Sequence, residues 1–110
     1  MRKLSLDALA REHLAHAAAS ANGRSATTVH GGHEHVLRQT LLALTAGTSL
    51  AEHENPGEAT LQVLRGRVRL TSGDTSWEGR DGDLVLIPPA RHGVQALEDS
   101  AVLLTVAKRG

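Results

Sequence analysis

Residues Gly47 to Gly66 read GTSLAEHENPGEATLQVLRG, and the pattern predicts strand, tight turn, strand, with a histidine just ahead of the turn. Thr48 to Glu54 is short and only partly apolar. Asn55-Pro56-Gly57 carries turn chemistry, because Pro fixes φ and Gly accepts positive φ. Ala59 to Leu64 makes a second, more apolar strand, which Gly66 ends. At a side-chain period of two, His53 and Asn55 fall on one face, so two groups bearing nitrogen or oxygen converge near the turn. A rigid hairpin of this kind can carry a binding site.

C-terminal to the hairpin the chain continues in short segments. Arg67 to Thr71 alternates, with Val68 and Leu70 on one face and Arg67, Arg69 and Thr71 on the other. Ser72-Gly73-Asp74 is a turn, and Thr75 to Gly79 is a short strand carrying Trp77, which is expected to pack in the core or an interface. Leu84 to Ile87 is apolar at every position, the pattern of a strand covered on both faces. Pro88-Pro89 cannot continue a central ladder, so the chain turns there. His92 to Leu97 and Ala101 to Ala107 complete the set of strands.

N-terminal to the hairpin, His35 to Thr45 reads as a strand with a polar triplet, Arg38-Gln39-Thr40, inside an apolar run. Burying such groups without partners costs about 1–3 kcal/mol each, so each needs a designated partner. One parity faces inward, and it carries either Arg38 with Thr40 or Gln39. An inward arginine is an anchor for a carboxylate or other anion; the alternative is an ion pair with an acid across the sheet or a dimer interface. HGGHEH holds three of the seven histidines. His33 and His35 alternate onto one face, where they either reach a common cation or form a solvated strand entrance. Gly23 to His30 is a loop or short edge strand. Ahead of it, Leu6, Leu9, Ala10, Leu14 and Ala17 recur at helical spacing, with Ser5 as N-cap and Asn22-Gly23 as stop signal. His13 and His16 on this helix read as solvated rather than as a ligand pair.

Short strands at intervals of roughly 8–12 residues indicate a sandwich or barrel. The chain therefore divides into an amphipathic helix over residues 1–23 and a β-barrel over residues 24–110. Strands without a polar face need cover on both sides, from the helix on one outer face and from a second subunit on another, so a homodimer is expected. At 110 residues the chain is long enough for one core. Twelve basic and twelve acidic residues cancel, leaving no electrostatic footprint for nucleic acid or an anionic membrane. Cysteine is absent, which excludes disulfides and thiolate chemistry. Met-Arg-Lys opens the chain, but Asp7, Arg11 and Glu12 interrupt any apolar run, so no signal peptide or membrane span is expected and a cytoplasmic location is.

The hairpin resembles the first signature of the cupin superfamily: Gly, five residues, His-x-His, three or four residues, Glu, six residues, Gly. Gly47, His53 and Gly66 match, while Asn55 stands in place of the second histidine and Ala59 in place of the glutamate, with Glu58 adjacent. GDLVLIPPARH, from Gly82 to His92, resembles the second signature: Gly, five residues, Pro-x-Gly-x-x-His. Gly82 and Pro88 match, Ala90 replaces the glycine, and His92 arrives one residue early. The resemblance implies an all-β double-stranded β-helix, the jelly-roll or cupin barrel, with one N-terminal α-helix added here. It also implies a mouth that holds a divalent metal on three histidines and a glutamate.

Carried over residue by residue, the implied metal ligands are His53 and His92, with Asn55 offering an amide oxygen and Ala59 nothing. That set falls short of the three strong protein ligands of a catalytic zinc site, and His33, His35 or Glu58 across a bulge would have to complete it. A bound ion is thus expected to be one weakly held divalent transition metal: Fe, Mn, Ni, Cu or Zn. Three functions are compatible. The barrel binds a small polar or anionic molecule through His53, Asn55, His92, Arg38 and Gln39; or it is a metal-dependent enzyme of the dioxygenase, isomerase or lyase type; or it is a dimeric scaffold with a decayed site. Architecture alone does not choose among them. No paired carboxylates, activated nucleophile, phosphate loop or dinucleotide fingerprint is evident.

Overall fold

The computed structural model describes residues 1–53 and 57–108, with Glu52 and His53 described by their backbone alone. Among the described residues one helix, α1 (Leu6–Ala19), precedes nine strands: β1 (Arg24–His30), β2 (Leu37–Leu44), β3 (Ser49–His53), β4 (Gly57–Arg65), β5 (Arg67–Ser72), β6 (Thr75–Arg80), β7 (Leu84–Ile87), β8 (His92–Ala96) and β9 (Ser100–Lys108). The helix begins as its sequence dictates. Ser5 Oγ accepts the Ala8 N–H at 3.1 Å, and Asp7 lies in the positive first turn. It ends at Ala19, and Gly23 then turns the chain at φ +70° toward β1.

The strands form two antiparallel sheets, one in the order β1-β2-β9-β4-β7 and the other in the order β3-β8-β5-β6. Between them lies a core that includes Leu44, Leu61, Val63, Leu70, Val94 and Val102. The same strands have opposite parity on their outer face. There Leu41, Ala43, Ala101 and Leu103 are buried where α1 packs across β1, β2 and β9, with Ala10 and Ala17 fully covered. The helix is tied to the barrel by an ion pair of 2.6 Å between Asp7 and Arg65, whose hydrogen bond and charge hold the Asp7 carboxyl below its ordinary value. Among the described residues no helix is long and apolar enough to cross a membrane.

Two open readings narrow and one expectation changes. Of the loop and the edge strand read after Gly23, the structure has the edge strand, β1. Trp77 is 43% exposed and stands outside the core, which leaves an interface as its expected place. In β7 only Val85 and Ile87 face the interior, while Leu84 and Leu86 are 59% and 73% exposed. An apolar run records that neither face is polar; it does not record what covers the second one.

The register defines two ends of the barrel. At one end lie the β1–β2 turn, the ends of β3 and β4, the Ser72-Gly73-Asp74 turn, the Pro88–Arg91 turn and the end of β9. This end is the mouth. At the other, Gly66 sits at φ +93°, where any Cβ would meet Ser100 Cα at 2.8 Å.

Candidate binding site at the barrel mouth

His92 opens β8 and is 3% exposed. It alternates with Val94 and Ala96 of the core, so it belongs to the inward parity. The preceding turn explains its early arrival in the sequence. Ala90 N–H bonds back to the Pro88 carbonyl at 2.8 Å, and Ser72 Oγ donates to the Arg91 carbonyl at 2.9 Å. The compact Pro-Pro turn thus delivers the histidine to the first residue of the strand. Its Nδ1 lies 3.2 Å from the Ala90 carbonyl, which can only accept, so Nδ1 carries the proton between them and the ring is oriented by the turn.

His53 occupies the ladder position directly across from His92. Strict alternation from Leu50, which pairs with Val94, would not have put it there; one extra residue in β3 between Leu50 and His53 shifts the register. That bulge is a feature the sequence did not signal. Asn55 lies outside the described residues. Ala59 is buried on the inward parity of β4, opposite Ile87 and Val106, and brings no donor atom. Glu58 does not replace it. The β4–β9 register runs unbroken from Gly57 to Val63, so Glu58 stays exposed on the outer face.

The polar triplet of β2 is divided between the two faces. Arg38 pairs with Val106, which packs against the core, so Arg38 and Thr40 take the inward parity at the mouth. Arg38 is exposed and runs its stem over Gly31, and it forms no ion pair with the described acids. Gln39 takes the other face, where its Nε2 donates to Thr105 Oγ1 at 3.2 Å. With Leu37 and Leu103 it lines a hollow of about 390 Å³ beneath the N-terminal segment, so it is not brought together with His92.

The remaining histidines lie on α1, at the end of β1 and in the β1–β2 turn. His35 stacks near His30 at 4.8 Å between ring centroids, in a hollow of about 370 Å³ shared with Arg2, Leu4 and Leu9 on the helix side of β1. His33 is exposed in the same turn. His13 Nδ1 lies 2.7 Å from Ser25 Oγ, which anchors α1 to β1. Among the described residues no three His, Asp or Glu side chains are grouped to hold a metal ion. One inward residue escaped the sequence analysis. Lys108 follows Val102, Leu104 and Val106 in strict alternation, which was the signal for it, and it is half-buried at the mouth.

Residues 40–107 match the cupin domain family. The chain belongs to that family. Its barrel superposes on a cupin superfamily protein from Desulfitobacterium hafniense with a TM-score of 0.79 at 18% identity, over 98% of this chain and 92% of that one. A cupin 2 conserved barrel domain protein from Salinispora arenicola gives 0.68 at 20% identity, over 96% and 87%. A salicylate 1,2-dioxygenase variant from Pseudoaminobacter salicylatoxidans gives 0.72 at 20% identity, over 92% of this cupin but 32% of the dioxygenase. These likenesses concern the fold. No curated protein matches the cupin sequence.

Proposed function

We propose that this cupin binds a small polar or anionic molecule at the barrel mouth, oriented by His53, Asn55 and His92 with Arg38 at the rim. The observation that carries the proposal is a buried histidine, His92, set across the ladder from a second histidine position, His53. Directly opposed positions of an antiparallel pair belong to one face of the sheet. A buried imidazole oriented by a backbone carbonyl is suited to holding a ligand at the edge of an apolar barrel.

The donor set does not fit a tightly held metal. Two imidazoles and an amide oxygen fall below three strong protein ligands, Ala59 occupies the carboxylate position, Glu58 lies on the outer face, and His35 stands with His30 on the helix side of β1. A divalent Fe, Mn, Ni, Cu or Zn ion is therefore proposed as weakly held at most. The second reading, a metal-dependent enzyme, draws on the barrel shared with a salicylate 1,2-dioxygenase, but it requires a further strong donor beyond the described residues.

The test combines two measurements on tag-free protein. In a thermal-shift screen of small polar and anionic compounds, hits are expected to lose their stabilisation in His53→Ala and in His92→Ala. Elemental analysis is expected to find transition metal well below stoichiometry. Hits that keep their full shift in both variants would place the site elsewhere. A full equivalent of metal, released by His92→Ala, would instead favour the enzyme reading.

A further inference from the structure

Two cations share the inward face at the mouth. Arg38 pairs with Val106 across the β2–β9 ladder, and Lys108 is the next inward residue along β9, opposite Gly57 of β4. Diagonal neighbours on one face of a sheet lie about 7–8 Å apart at Cα, within the combined reach of an arginine and a lysine. Like charges this close on one face repel each other and draw an anion between them unless something neutralises them. The described acids do not. Glu34 and Asp74 are exposed in turns, Glu58 lies on the outer face, and the ion pairs of the described residues leave out both Arg38 and Lys108. On the other side of the mouth stands His92, buried, with the backbone of His53 across the ladder from it.

We infer that Arg38 and Lys108 form a two-cation clamp, and that the ligand of the mouth is a small organic oxyanion, a carboxylate or a phosphate. This rests on the mouth as the binding site and adds the chemical class and a residue, Lys108, that neither cupin signature includes. A planar guanidinium takes two oxygens of such a group side by side, and a flexible ammonium closes on it from the adjacent strand. Val106, Ala59 and Ile87 form the apolar floor between the clamp and the histidines, so a short carbon skeleton spans from one to the other.

The test is a backbone amide NMR titration of the full ¹⁵N-labelled chain with malonate and, separately, with inorganic phosphate. Shifts are expected at residues 36–38, 57–59, 92–93 and 106–108. The dissociation constant should rise about tenfold in Arg38→Gln and again in Lys108→Gln, each of which removes one charge-assisted contact. Arg80→Gln, at the opposite end of the barrel, should leave it unchanged. Tighter binding of malonate assigns a carboxylate ligand, and tighter binding of phosphate a phosphate one. Affinity unaffected by the two clamp variants but lost in His92→Ala would overturn the clamp and leave the mouth standing. Affinity unaffected by all three would overturn both, and no shift with either anion in the unmodified chain would overturn the clamp.

Discussion

Gly66 combines a positive φ of +93° with a backbone wall formed by Ser100, so alanine there meets both torsional strain and a steric clash. Gly66→Ala is expected to lower stability by at least about 2 kcal/mol, read as a reduced denaturation midpoint with an unchanged slope. The neighbouring residues of β2 separate stability from binding. Gln39→Ala removes a hydrogen bond to Thr105 on the outer face and should cost about 1 kcal/mol of stability with no effect on the mouth. Arg38→Ala should do the reverse, weakening ligand binding while the melting temperature stays nearly constant. The triplet's chemistry was legible in its sequence, but its direction was not. Apolar residues occupy both parities around it, so only the pairing of Arg38 with Val106 decides which side chain faces inward.

Helix α1 was the most legible element, because its cap, stripe and stop are all local. Its attachment is long-range, through Asp7 and Arg65, and was not legible. The guanidinium holds the Asp7 carboxyl below its ordinary value of 3.8 in the folded chain, so the pair stabilises the fold above that value and loses its contribution as pH falls through the lowered one. Both side chains are substantially exposed, which keeps the effect small. Acid titration of Asp7→Asn should therefore show a shallower loss of stability below about pH 4 than the unmodified chain, with the two curves parallel near neutrality. A steeper acid loss in the variant would count against the tie. In β3, by contrast, nothing in GTSLAEH announces a bulge; it is set by the partner strand, which pairs Leu50 with Val94 and His53 with His92.

The barrel as a whole followed from short alternating segments and two spaced signatures, which is why the cupin architecture was accessible before any coordinates. What covers its outside was not. Leu84 and Leu86 lie exposed on edge strand β7, where unpaired backbone and large apolar side chains favour association. The proposed homodimer predicts a light-scattering mass of twice the 11.6 kDa chain, and a shift to the single-chain mass in the Leu84→Lys, Leu86→Lys variant. A monomer in the unmodified chain would remove the dimer.

The central claim is that His53 and His92 make one site at the mouth, and a double-mutant cycle on folding stability tests it without knowledge of any ligand. Stabilities of His53→Ala, His92→Ala and the double variant are measured by denaturant unfolding. Residues in contact should couple by about 0.5–3 kcal/mol, of either sign. Costs that add within about 0.3 kcal/mol would mean that the two histidines act independently, contrary to a shared site.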